Sequence, residues 1–361
     1  MRRMKSLSMG FTAVILMMLV GCGGQTSTAP TVDAAVPAQE QAEEKLPSGW
    51  TDCEGVTEIS FASLANLSSE REGNVLKHIE ALHAQSDGAL RIKLYIQTEF
   101  GSDTQLLNGV NTGTLSMMHS IAMTQCDTVP EMALLGIPAF FSDADALNQM
   151  LHEKWQDRFN EFYHAQGLHL LGAFSYKTHS LISLKPIETA LDIEGLKVRC
   201  LNRYQRIFWQ AMGAEPVIIL YSEMRLAAQQ NLIEAHDIAI SSGGMSQFYP
   251  TYFVRTQHSP VVQCYVINWA LYQSLTAQEQ QWLVELIQNI QAETAANAAQ
   301  EDADLEQEYV EHYGLQIIED LPGWSEVSAN AREQVLIALR EDLGDALVDE
   351  FVADYMEYAG G

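Results

Sequence analysis

The side chains able to do chemistry are many, but they are poorly arranged for catalysis. Ten histidines are scattered at positions 78, 83, 119, 152, 164, 169, 179, 236, 258 and 312. The pairs His78/His83 and His164/His169 are five residues apart, a spacing that does not put two ligands on one helical face. His236 stands beside Asp237. Neighbours in an extended segment point to opposite faces, so they make a poor general-base dyad. There is no Gly-x-Ser-x-Gly elbow, no His-Glu-x-x-His, no phosphate-cradling loop and no Gly-x-Gly-x-x-Gly. With 47 acidic residues, paired carboxylates carry no information. Neither a metal nor a cofactor is expected.

The N-terminus sets the compartment. Arg2, Arg3 and Lys5 precede an apolar run from about Met9 to Val20, too short for a convincing membrane span and suited to a signal peptide. The run closes on Leu19-Val20-Gly21-Cys22, which has the form of a bacterial lipobox, with Cys22 lipidated and first in the mature chain. Residues 1–21 are then the leader, and 22–52 a disordered tether rich in Ala, Gly, Thr, Pro, Gln and Glu. The location implied is the periplasm or cell envelope, with the chain held to a membrane by its lipid. Removing the leader takes away three cations and no anions, moving the formal charge from −27 to −30. Such acidity argues against a nucleic-acid partner. The four remaining cysteines, Cys53, Cys126, Cys200 and Cys264, fit no zinc spacing, and a bridge among them is left open with no pairing assigned.

The folded body reads as alternating strands and helices. Thr57–Ser63 and Leu90–Ile96 alternate like strands, and Leu115–Ser120 reads as a buried one. Ser69 with Glu72 opens a helix to about Ser86, and Ser102 with Gln105 caps another to about Asn111. Further helices are predicted over Ala144–Gln166, Arg203–Met212 and, capped by Ser222, Glu223–Asn231. Further strands are predicted over Leu168–Phe174, Gly195–Arg199, Pro216–Leu220 and Val261–Trp269. Thr276 and Glu279 open a long helix to Tyr313 with a stripe at Trp282, Leu286 and Ile290. Two helices, near Ser325–Asp342 and Leu343–Tyr358, end the chain. This order implies an α/β body on a largely parallel sheet.

Several segments then arrive in an order and spacing that resemble the substrate-binding proteins of TRAP transporters, the DctP-like family. They are Leu90-Arg-Ile-Lys-Leu-Tyr with Phe100-Gly-Ser-Asp-Thr, Val110-Asn-Thr-Gly-Thr-Leu-Ser-Met, and Val129-Pro-Glu-Met-Ala-Leu-Leu-Gly-Ile-Pro-Ala-Phe-Phe. Asp192-Ile-Glu-Gly-Leu-Lys-Val-Arg199 is similar to the family's D-L-x-G-L-K-x-R. Met212-Gly-Ala-Glu-Pro-Val, Tyr221-Ser-Glu-Met, Leu226-Ala-Ala-Gln-Gln-Asn and Gln247-Phe-Tyr249 follow. The resemblance covers about Glu58 to Gln300. It implies a two-lobed periplasmic-binding-protein-like fold with hinge strands and a long helix spanning both lobes. Lobe 1 would hold 53–176 and 263–300, and lobe 2 would hold 177–262 and 301–361.

The family's arginine at position 199 forks onto the ligand carboxylate, and a planar guanidinium is well matched to that task. Tyr221 stands where the family has an aromatic residue against the ligand. Three departures follow. Ile238 replaces an asparagine of the family pattern, with His236 and Asp237 beside it. A second arginine is absent, its neighbourhood held by Lys177, Thr178 and His179. Ile121 stands where sialic-acid binders carry an acid, beside His119 and Ser120. Fewer ionic groups suggest a small organic acid, a monocarboxylate with an apolar or aromatic tail or a 2-oxo acid. The function implied is solute capture for TRAP membrane subunits, with no catalysis. A sensory or scavenging lipoprotein, or a lipoprotein enzyme built around His236 and Asp237, are the alternatives.

Overall fold

A computed structural model describes residues 56–63, 75–96, 101–219, 223–240 and 251–360. Cys22, the tether, Cys53, Tyr221 and Gln247–Tyr249 lie outside the described residues.

The first part of the body is β1 (Thr57–Ser63), α1 (Val75–Gln85), β2 (Leu90–Ile96), α2 (Asp103–Thr112) and β3 (Met117–Ile121). The capping box over α2 forms as the sequence predicts: the Ser102 hydroxyl accepts from the Gln105 amide, and the Gln105 side chain accepts from the Ser102 amide. Next come α3 (Ala144–Met150) and α4 (Gln156–Ala165), joined by a π-helical turn over Leu151–Trp155. Then follow β4 (Leu168–Ser183), β5 (Lys197–Cys200), α5 (Arg203–Ala211), β6 (Glu215–Ile218), α6 (Met224–Gln229), β7 (Ala235–Ile238) and β8 (Tyr252–Asn268). The chain closes with α7 (Trp269–Ser274), α8 (Ala277–Tyr313), β9 (Gln316–Ile318), α9 (Trp324–Leu343) and α10 (Asp345–Gly360).

Among the described residues the strands form one sheet in the order β2-β1-β3-β8-β4-β7-β5-β6, with β9 added to β8. The outer groups are parallel: β2, β1 and β3 at one side, and β7, β5 and β6 at the other. The middle is not. β4 and β8 are long antiparallel strands that pair from Leu168 with Asn268 to Ser183 with Tyr252. One end of this ribbon meets β3, and the other meets β7 and β9. The expectation of a largely parallel sheet is therefore corrected at its centre. Sequence alternation stops near Phe174 and starts only at Val261 because the ribbon carries register shifts at Ser175/Thr178 and His179/Leu181, which break the period-two pattern.

Helix α8 starts on the Thr276–Glu279 capping box and, at 37 residues, extends about 55 Å. It buries Leu283, Leu286, Ile287 and Ile290, while Trp282 sits half exposed beside that stripe. Midway along it Glu293 accepts from Lys77 on α1, and towards its end Glu306 takes a two-pronged bond from Arg255 on β8. The helix thus runs alongside α1 and the antiparallel ribbon. Gly172 lets it close on β4, since a Cβ there would stand 2.9 Å from the Ile287 side chain. Cys126, Cys200 and Cys264 are buried free thiols, so no bridge joins these three.

Candidate functional site

The carboxyl ends of the parallel strands in both outer groups border a cleft of about 290 Å³. One wall carries Ser102, Asp103 and Thr104 from the start of α2, with Met123, Thr124 and Asp127 after β3. The other carries Arg199, Asn202 and Arg203 from β5 and the start of α5, with Ile218 at the end of β6 and Ile219 after it. Residues 64–74, 97–100, 220–222 and 241–250, in the stretches that follow β1, β2, β6 and β7, are not described.

Arg199 is the last but one residue of β5, only 2% exposed. Its Nε donates to the Ile219 carbonyl at 2.8 Å, which fixes the guanidinium plane at the cleft wall. His236 sits level with it on β7, fully buried. Burial, reinforced by the Arg199 charge, holds that imidazole well below its ordinary pKa, so it is neutral beside the arginine. Opposite, Asp103 is pushed up to about 6 by burial, against a hydrogen bond from Thr124. It is therefore a carboxyl able to change its charge near neutral pH.

Asn202 spans the two walls. Its Oδ1 accepts from the amides of Tyr204 and Gln205, at 2.9 and 3.0 Å, and so caps α5. Its Nδ2 donates to the Met123 carbonyl at 3.0 Å on the other side.

Behind the cleft, on β7 beside the hinge ribbon of β4 and β8, Asp237 is fully buried. His179 Nδ1 lies 2.7 Å from Asp237 Oδ1, His258 Nε2 lies 3.2 Å from Oδ2, and Trp209 Nε1 donates to Oδ2 at 2.9 Å. Burial opposes ionisation of Asp237, but the charges of His258 and His179 and the bonds from both histidines outweigh it. The carboxylate is held well below its usual range. This knot joins β4, β7 and β8 where the register shifts occur.

Of the residues singled out from sequence, Arg199 lines the cleft. His179 and His236 lie in the interior behind it, and Ile238 packs in an apolar cluster with Ile182, Met224 and Phe253. Thr178 lines a separate hollow of about 530 Å³ between α8 and the ribbon. His119 is buried, with Nδ1 3.0 Å from the Ser63 hydroxyl and its ring stacked on Tyr265. Burial takes it down to about 4, with Lys177 adding to the shift against the Gln263 hydrogen bond. Sequence reasoning missed Asp103, Thr124 and Asn202 as site residues. Asp103 and Asn202 open helices at the carboxyl ends of strands, which is the signal that marks a cleft in α/β folds. The pair His164 and His169 also meets, with ring nitrogens 3.0 Å apart. They do so across the turn at Gly167 and not along one helix, which is why their spacing said nothing.

Residues 61–336 match the family model described as bacterial extracellular solute-binding protein, family 7, also called DctP. The chain belongs to this family. Among relatives, the 2,3-diketo-L-gulonate-binding periplasmic protein YiaO of Escherichia coli is 26% identical over 252 residues, 68% of this chain and 76% of that protein. The sialic acid-binding periplasmic protein SiaP of Vibrio cholerae is 21% identical over 238 residues, 65% and 74% of the two chains. Among solved structures, a TRAP periplasmic solute-binding protein of Desulfovibrio salexigens with bound orotic acid superposes with a TM-score of 0.77 at 18% identity, covering 83% of this chain and 99% of the other. One from Chromohalobacter salexigens with bound D-glucuronate gives 0.75 at 18%, with the same coverage. This is a TRAP solute-binding protein with the two-lobed α/β fold of its relatives. Family and structural neighbours alike are binding proteins rather than enzymes. The named relatives are periplasmic, and no helix among the described residues is long and apolar enough to cross a membrane.

Proposed function

We propose that this solute-binding protein captures a small hydroxylated carboxylate between its lobes, with Arg199 clamping the carboxylate, and delivers it to TRAP membrane subunits. The observation that carries this reading is the buried Arg199 side chain on the wall of a cleft whose other wall bears Asp103 and Thr124. A guanidinium offers two parallel donors to a carboxylate, and a carboxylate opposite it accepts from a hydroxyl. The polar lining, with Ser102, Asp103, Thr104, Thr124 and Asn202, favours hydroxyl groups over the apolar tail that the sequence suggested. That expectation leaned on Ile238, whose side chain is committed to the core. Relatives that bind diketogulonate and D-glucuronate support an acid bearing oxygen substituents. The lobes in this reading are 53–176 with 263–300, and 177–262 with 301–361. Lipidation at Cys22 and the tether 22–52 would hold them at the membrane in the cell envelope.

A thermal-shift screen of sugar acids, orotate, aromatic monocarboxylates, sialic acid and polyols tests the reading on wild type and Arg199→Ala. Sugar acids should stabilise the wild type alone. Removing one partner of a buried charge pair costs about 2–5 kcal/mol, so binding by the variant should weaken about 30-fold or more. Stabilisation by neutral polyols, or by any acid equally in both proteins, contradicts it.

A further inference from the structure

The C-terminal helices tie the two sides of the molecule together in a way the three crossing elements β4, β8 and α8 do not. Helix α9 is anchored to α5: Asp342 accepts from the Tyr204 hydroxyl at 2.7 Å and pairs with Arg203 at 2.9 Å, while Trp324 packs against Phe208 and Trp209. Helix α10 is anchored to the segment 140–155. The buried Tyr355 hydroxyl accepts from the amides of Ser142 and Asp143 at 2.7 and 2.9 Å. Asp354 accepts from Trp155 Nε1 at 2.8 Å and from Lys154 at 2.6 Å, and Phe351 meets the Trp155 ring edge to face. The π turn at Leu151–Trp155 carries both Lys154 and Trp155, and such wide turns concentrate where a helix serves a particular contact.

Between these anchors lies Ala139, a non-glycine residue at φ 55°. Its carbonyl accepts from Arg332 on α9 at 2.8 Å, and its amide donates to the carbonyl of His258 in the hinge ribbon. A left-handed alanine persists only where its surroundings over-determine it. Here α9 grips it from one side and the hinge ribbon from the other. Helix α10 also lies wholly beyond residue 336, where the match to the family model ends.

We propose that α9 and α10 form a clasp, a further connection between the lobes that limits how far they part in the ligand-free protein. It rests on the lobe division given above, with segment 140–155 in one lobe and α5 in the other. Any opening that separates α5 from that segment must shear one of the two anchors or pivot about Ala139. The clasp therefore holds the unliganded protein near its binding geometry, which raises apparent affinity by raising the population of the competent state.

The test is a spin-label distance measurement between cysteines placed at the exposed positions Glu80 on α1 and Gln229 on α6, in a Cys53→Ser background. The ligand-free protein is compared with the same protein carrying Asp354→Leu and Tyr355→Phe, which nearly keep the packing volume and remove the accepting carboxylate and hydroxyl. The clasp requires a longer and broader distance distribution in the variant, at a temperature where circular dichroism shows it folded. A distribution identical to wild type, accompanied only by a lower melting temperature, overturns the proposal and leaves α10 as plain structural support. Addition of D-glucuronate to the wild type separately reports whether the lobes close on an acid. Failure there counts against the proposed ligand and not against the clasp.

Discussion

Asn202→Asp separates the two jobs of one side chain. Aspartate caps a helix as well as asparagine does, so the bonds to the amides of Tyr204 and Gln205 survive. The bond from Nδ2 to the Met123 carbonyl does not. The amide donor becomes a carboxylate oxygen facing a carbonyl oxygen. The lost hydrogen bond is worth about 1 kcal/mol, and the unsatisfied acceptors that now face each other add a further 1–2 kcal/mol or so. That bond joins the wall after β3 to the wall at α5, so its loss falls on the apposed state of the cleft. Ligand affinity should fall on the order of 30- to 150-fold, while the melting temperature falls by less, because the retained cap keeps α5 intact and the empty cleft can widen to relieve the contact. Asn202→Ala makes the contrast. It removes the cap, worth about 1 kcal/mol, and the cross-cleft bond without adding a charge, so stability falls more and affinity less. Isothermal titration calorimetry, with the acid selected by the thermal-shift screen, and thermal melts read both effects. Unchanged affinity in Asn202→Asp, or a fall in melting temperature as large as that of Asn202→Ala, would refute the cross-cleft role.

Other consequences are as direct. Burial raises the Asp103 pKa to about 6, so that its proton is favoured in the folded, empty protein. A ligand hydroxyl donating to the ionised form would lower it, so binding near pH 6 should release protons and affinity should rise with pH through that range; calorimetry in buffers of different ionisation enthalpy measures this, and Asp103→Asn should abolish it. The same raised pKa means the empty protein gains stability from this group at low pH and loses it as pH climbs from about 4 through 6, which is a local slope in thermal melts that Asp103→Asn removes. The Cys126 and Cys200 thiols are pushed up to about 12, chiefly by burial, so both should resist alkylation until the protein is denatured; mass spectrometry after a thiol reagent decides, and rapid modification of the native protein counts against the described core. A formal charge of −27 creates self-repulsion that salt screens, so the melting temperature should rise between 0.05 and 1 M NaCl, taken as rough limits; a flat or falling curve contradicts it.

Much of the architecture was legible in the chain. The capping signals at Ser102–Gln105 and Thr276–Glu279 placed α2 and α8 because a cap is a local device whose partners sit three residues apart. The full length of β4 and β8 was not legible, because register shifts scramble alternation where the ribbon passes through the hinge. β7 was hidden for another reason. Ala235-His-Asp-Ile238 is wholly buried yet polar in its middle, and only its partners His179, His258 and Trp209, distant in sequence, explain how Asp237 is tolerated there. The site divides in the same way. Arg199 stood out through its surrounding motif. Asp103 and Thr124 acquire meaning only when α2 and the segment after β3 come to face β5 across the cleft. In the proposed reading the acidic chain meets its need for a cationic site with one guanidinium at a strand end, beside a neutral His236, where it is desolvated and local.

A crystal structure of the protein with its co-purified or screened acid bound would test the central claim most directly. The ligand carboxylate should lie against the Arg199 guanidinium, with both oxygens within about 3 Å of its nitrogens. An acid seated elsewhere, or held in the cleft without touching that side chain, would contradict the account.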